Sequence, residues 1–213
     1  MLFKRNLIFT CLLFVSIFFI QCSHSTLKKD LFRNTSLFQG TDSIKAVIEI
    51  PTYTRAKWEW RVDEKRFVWD TKKGKKRMIQ YSFPYLFNYG MVPQTLGGDG
   101  DPLDILVLGE PLHRGTVLPV RVIGVLKTLD KGEVDDKIIS VNPRDPMFGH
   151  IQNISDLRQS FPGTTEILEI WFKNYKLKPG KMVVQGIENQ DQALKLVERA
   201  YQDYQTKDVA YSK

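Results

Sequence analysis

Apolar positions along this chain follow two patterns. Through the middle they gather in short runs rich in β-branched residues: Ala46 to Ile50, Ile105 to Leu108, Val117 to Leu126 and Ile138 to Val141. Runs of this length, bounded by Gly, Pro and Asp, predict buried strands. Later the spacing becomes helical, over Ile154 to Ser160, Thr165 to Asn174 and Gln190 to Gln205. Strands first and helices last predict a mainly β fold of the α+β class, a β-barrel core with flanking helices. The chain of 213 residues is long enough to bury one substantial core, and it shows no internal repeat or low-complexity tract.

The longest apolar run lies outside that domain. Leu7 to Ile20 follows a short basic start, Met1 to Asn6, and precedes Gln21-Cys22-Ser23. It is short for a spanning helix and right for the apolar region of a signal peptide. Cys22 stands where a bacterial lipoprotein signal places its lipidated cysteine, although Gln21 replaces the small residue usual before it. The expected organisation is a signal peptide of lipoprotein type over 1–22, a tether over 23–40 and a catalytic domain over 41–213. The protein would then be exported and membrane-attached through Cys22; the alternative is a cytoplasmic location. The only other cysteine, Cys11, lies inside the apolar run, so a mature domain has no internal disulfide to form.

Candidate chemistry begins at Gly98-Asp99-Gly100-Asp101-Pro102-Leu103-Asp104, which leads straight into the strand pattern Ile105 to Leu108. Three carboxylates within six residues repel one another unless a cation lies among them. Asp oxygens are hard ligands, so Mg²⁺ or a close substitute is the expected ion. Gly100 and Pro102 bend the backbone and keep the carboxylates convergent. A site of aspartates alone points to phosphate chemistry, because Mg²⁺ is commonly shared between carboxylates and substrate phosphates. An EF-hand loop is excluded: its sixth position requires Gly, and that position is Asp104.

A second acidic cluster, Asp130 to Lys137, reads as the turn of a hairpin between Val117 to Leu126 and Ile138 to Val141. Paired with the first it completes a site for several metals, with Asp130 and Asp135 as candidates ahead of Asp136. Lys57, Arg77, Tyr89, Tyr175 and Lys176 are candidate phosphate contacts. Arg offers a fork, Lys a point charge, and Tyr a donor without charge. Taken singly, each of these types is more often an ordinary surface or half-buried residue.

Together these segments resemble the family I soluble inorganic pyrophosphatases. The resemblance rests on Val47-Ile48-Glu49-Ile50-Pro51, Ala56-Lys57-Trp58-Glu59, Asn88-Tyr89-Gly90, Pro93-Gln94-Thr95-Leu96, the Asp99 to Asp104 stretch, Gly124-Val125-Leu126-Lys127, the Asp130 to Lys137 turn, Phe161-Pro162-Gly163 and Trp171 to Lys176. They run in the family's order over roughly Ile44 to Tyr204. The resemblance implies an OB-like five-stranded barrel. It implies that Asp99, Asp104 and Asp135 hold the tighter metal pair and that Asp130 holds a further metal arriving with substrate. Asp101 matches the carboxylate that accepts a proton from the attacking water, and Glu49 and Glu59 match metal-water contacts. Lys57, Arg77, Tyr89, Lys137, Tyr175 and Lys176 match the groups that hold the two phosphates. Asp136 has no matching role. The stretches 72–79 and 142–181 resemble eukaryotic-type members, which form dimers. The short link from Leu96 to Asp99 resembles bacterial members, which form hexamers.

The implied reaction is Mg²⁺-dependent hydrolysis of pyrophosphate to two phosphates, with several metals per site and no covalent intermediate. Mg²⁺ neutralises the substrate and acidifies the attacking water, while Lys57, Arg77, Lys137 and Lys176 stabilise the departing phosphate. His24, His113 and His150 fall in no triad or metal spacing, and no G-x-x-x-x-G-K-[ST] loop is present. The net charge of +7 raises nucleic-acid binding, but the excess forms no continuous stripe and lies partly in the leader and in Lys72 to Arg77, so no nucleic-acid partner is expected. The alternative function is an exported phosphate- or metal-binding protein that keeps the fold with little activity.

Overall fold

The computed structural model describes residues 30–33, 35–38, 43–178 and 180–211. The leader and Cys22 therefore lie outside the described residues. Among those described, no helix is long and apolar enough to cross a membrane.

In chain order the elements are β1 (Ile44–Ile50), β2 (Trp58–Arg61), β3 (Arg66–Trp69), β4 (Thr71–Lys72), β5 (Lys75–Lys76), β6 (Asn88–Met91), β7 (Asp104–Leu108), β8 (Val117–Asp130), β9 (Glu133–Val134), β10 (Lys137–Val141), α1 (Ile154–Ser160), α2 (Thr164–Asn174), β11 (Met182–Asn189) and α3 (Gln190–Tyr211). Strands β1, β6, β7, β10 and β8 pair in that order, and β8 returns to β1. The ring closes, giving the five-stranded OB-like barrel expected. Only β7 and β10 run parallel; the other ring pairs are antiparallel.

The long β8 makes closure possible. Its first residues, Val117 to Val120, pair with β1, and its middle pairs with β10. Its last half, Gly124 to Asp130, pairs with β11. At the β1–β6 seam only glycine fits: a Cβ on Gly90 would stand 1.9 Å from the Val47 carbonyl oxygen. All four expected strand runs are strands, and the three expected helices are present, α3 running six residues further than its pattern indicated.

The apolar patterns face two sides of the barrel wall. Alternate residues of β7 and β10, such as Leu106 and Ile139, join Phe87, Trp171 and Phe172 under α2. Ile105 and Ile138 join Val92, Val120 and the α3 residues Ala193 and Val197. Phe87 stacks on Phe172 with ring centres 5.4 Å apart.

Part of the segment expected as a tether packs on the domain. Phe32 and Leu37 are buried, Phe32 against Tyr204 and Leu37 within the α3-side core. Lys45 N donates to the Leu37 carbonyl at 2.8 Å. Burying Phe32 and Leu37 gains free energy that a solvated linker would forgo.

Candidate active site

The acidic stretch owes its position to strand ends. Asp104 opens β7 and lies in register with Lys137, which opens β10, while Asp130 closes β8. The intervening turn delivers Asp135 beside them. The turn Gly97 to Asp101 closes on itself: Gly97 N donates to the Asp101 carbonyl at 2.7 Å, and Asp101 N donates to Asp99 Oδ1 at 3.1 Å. Gly100 takes φ +88° there, a left-handed turn with open space where a Cβ would stand.

A cavity of about 850 Å³ opens at this end of the barrel. Its wall includes Glu49, Lys57, Glu59, Arg77, Tyr89, Asp99, Asp101, Asp104, Asp130, Asp135, Lys137, Tyr175 and Lys176, so all thirteen residues singled out for the site share one space. They come from β1, β2, β6, β7, β8, β10, the connections between strands and the end of α2, separations no local pattern reveals.

The cations are held by carboxylates. Lys137 is 2% exposed and donates to both Asp104 Oδ2 and Asp135 Oδ1. Burial opposes its charge, but the two carboxylates outweigh that and raise its pKa. Lys176 Nζ lies 2.7 Å from Asp130 Oδ2. Lys57 Nζ lies 2.9 Å from Glu59 Oε1 and 3.3 Å from Asp70 Oδ2, and Arg77 also pairs with Asp70. Asp70 was not anticipated. Its only sequence signal is an acid between the aromatic strand β3 and the Lys-rich hairpin β4–β5. Its backbone accepts from Arg77 N and donates to Lys57 O, which places the carboxylate between the two cations.

Acidic crowding shows in the titration of the carboxylates. Burial raises the pKa of Asp101, and the negative charges of Asp99 and Asp104 raise it further. Burial also raises Asp135, against the pull of Lys137. Asp130 is lowered: burial pushes it up, but its bond to Lys176 prevails. Glu49 is pushed up to about 8 by burial, even though its carboxylate accepts from Trp60 N at 2.6 Å. The Tyr89 and Tyr175 phenols are raised well above their ordinary range by burial, so both are donors at neutral pH. Tyr175 is set by stacking on Trp171, ring centres 4.8 Å apart and planes 6° from parallel.

Asp136 serves the fold. It lines the same cavity, but its carboxylate is engaged by Lys127 and accepts from Thr128 N at 3.0 Å. The acidic side chains around the cavity offer carboxylate oxygens, which suit a hard divalent cation. Asp130 Oδ1 is buried with no hydrogen-bond partner, an acceptor that a cation would satisfy. Among the described residues no three acidic, His or Cys side chains stand close enough together to form a finished cage.

Comparison with known proteins agrees with this geometry. The family described as inorganic pyrophosphatase matches residues 46–205. An inorganic pyrophosphatase of Zygosaccharomyces bailii is 36% identical over 170 residues, covering 70% of this chain and 59% of that protein. One from Kluyveromyces lactis is 39% identical over 153 residues, covering 63% and 53%. The chain thus spans little more than half the length of these curated relatives. A crystal structure of an inorganic pyrophosphatase from Neisseria gonorrhoeae superposes with a TM-score of 0.73 at 33% identity, covering 83% of this chain and 99% of that one. With the match extending from the first barrel strand into α3, the chain belongs to the inorganic pyrophosphatase family.

Proposed function

We propose that this protein hydrolyses inorganic pyrophosphate to two phosphates in a Mg²⁺-dependent reaction. The observation that carries the reading is the convergence of thirteen acidic, basic and phenolic residues on one cavity. Asp99, Asp104, Asp130 and Asp135 would hold the metal ions, and Glu49 and Glu59 would support them through water. When bound, Mg²⁺ neutralises substrate charge and acidifies water. Asp101 accepts the proton of the attacking water, a role suited to a carboxylate whose pKa is raised by burial and further by its acidic neighbours. Lys57, Arg77, Lys137 and Lys176 hold the phosphoryl oxygens and stabilise charge on the leaving phosphate. Tyr89 and Tyr175 donate without adding charge. Phosphate release from pyrophosphate by the purified protein tests the reading. It requires release with Mg²⁺ that chelation abolishes; no release across a Mg²⁺ titration would refute it and leave the binding-protein alternative.

The N-terminal pattern Leu7 to Ile20 and Cys22 supports export and lipid attachment, with the domain held at a membrane face. Mass spectrometry of the mature N-terminus tests this: a lipid-modified Cys22 is expected, and an intact Met1 on soluble cytoplasmic protein would overturn it. Self-association as a dimer or hexamer completes the proposal and is read by light scattering.

A further inference from the structure

We propose that residues 30–38, which precede the part of the chain matched by the family, brace the acidic turn and position it for metal binding. Phe32 and Leu37 are the anchors and Gln94 is the latch. The inference rests on the reading of Asp99, Asp101 and Asp104 as metal-site residues, but its mechanical half does not.

The turn from Gly97 to Pro102 is a partition with space on both faces. One face borders the large cavity. The other borders a second space of about 220 Å³, lined by Phe32, Arg33, Tyr204 and Lys207 opposite Gly100, Asp101 and Pro102. A strip of chain with open space on both sides has few dispersion contacts of its own. Gly98 and Gly100 offer no side chain to anchor it, and nothing lies within 4 Å of where their Cβ atoms would be. The position of the turn is therefore set at its ends.

The C-terminal end is held within the domain, where Leu103 N donates to Thr95 Oγ1 at 3.0 Å and the Leu103 carbonyl accepts from Val92 N at 2.8 Å; the N-terminal end is tied to two further elements. Leu96 N donates to the Ala200 carbonyl of α3 at 2.9 Å. Gln94 clasps the N-terminal segment: its Oε1 accepts from Leu37 N at 3.3 Å and its Nε2 donates to the Arg33 carbonyl at 2.9 Å. Gln94 holds φ +56°, a left-handed conformation uncommon outside glycine and sustained by its surroundings. The segment is itself fixed. Asp30 Oδ1 accepts from Phe32 N and Arg33 N, Phe32 meets Tyr204 edge-on at 5.3 Å, and Leu37 is 1% exposed. Phe32 and Gln94 therefore act through the turn and are positioning residues.

The test compares the full chain with Phe32→Ala, the milder Phe32→Leu, and Gln94→Asn. Asparagine tolerates the left-handed backbone but is too short to make both bonds. Hydrogen exchange by mass spectrometry, without metal, reads the brace directly. Amides of residues 96–101 and 103 should exchange at least several-fold faster in Phe32→Ala and Gln94→Asn, with β10 unchanged and Phe32→Leu largely restored. Calorimetric titration with Mg²⁺ reads the consequence, a roughly three- to tenfold weaker dissociation constant in the same two variants. Unchanged exchange at 96–103 in folded Gln94→Asn, with only a lowered melting temperature in Phe32→Ala, would overturn the brace. Failure of the wild-type chain to bind Mg²⁺ would instead refute the proposed function, and the exchange result would stand apart from it.

Discussion

Glu49 offers a stability experiment whose sign and size follow from its burial. Its pKa is raised from 4.5 to about 8, chiefly by desolvation. Between those values the folded protein keeps a proton that the unfolded chain has released. Stability therefore falls as pH rises through this window; the loss is absent below about pH 4.5 and complete above about pH 8. At 1.36 kcal/mol per pKa unit the shift sets a ceiling of about 5 kcal/mol. Glu49 borders the large cavity, where water screens it, so about 3 kcal/mol is the working figure. Glu49→Gln removes the titration while its amide oxygen can still accept from Trp60 N. Denaturant unfolding in the presence of a chelator, at pH 5 and pH 8.5, is the assay. Wild type and variant should nearly coincide at pH 5, and the variant should be more stable by about 3 kcal/mol at pH 8.5. That difference corresponds to roughly 10 °C in Tm for a domain of this size. Asp101 and Asp135 also titrate abnormally, but their contributions largely cancel between the two proteins. Parallel stability curves across this range would refute the burial argument.

Other outcomes follow from the same geometry. Asp101→Asn should lower kcat by roughly 10²-fold while retaining more Mg²⁺ affinity than Asp104→Asn; equal loss of affinity would make Asp101 a plain ligand. Arg77→Ala should raise KM or lower kcat with less than about 1 kcal/mol lost in stability, because Asp70 keeps Lys57 as a partner. Asp136→Ala should cost about 2 kcal/mol in stability by stranding Lys127 and the Thr128 amide, while calorimetry finds Mg²⁺ affinity unchanged.

The barrel was legible where strands are long and apolar, as in Val117 to Leu126 and Ile138 to Val141. Its smaller parts were not. The hairpin Thr71 to Lys76 is polar throughout, β6 is four residues with a glycine inside, and β11 is interrupted by Gly186 at φ +126°. None carries the alternation that marks a half-buried strand. The thirteen residues that line the cavity could be picked out through motif and resemblance, because metal and phosphate chemistry restricts residue type. Asp70 escaped because its role is set by backbone bonds to Lys57 and Arg77 across a hairpin. Phe32 and Leu37 escaped because the apolar pairs Leu31-Phe32 and Leu37-Phe38 follow no helical or strand period, and their burial depends on Tyr204 and Gln94 far along the chain.

The central claim is metal-dependent cleavage of one phosphoanhydride bond in this cavity. Phosphorus NMR of pyrophosphate incubated with the purified protein tests it most directly, because bound, free and cleaved phosphate are all visible. The account predicts that the pyrophosphate signal disappears as an orthophosphate signal of equal total phosphorus grows, only when Mg²⁺ is present and not with Asp101→Asn on the same timescale. A pyrophosphate signal that broadens or shifts on binding but never converts, at any Mg²⁺ concentration, would contradict it.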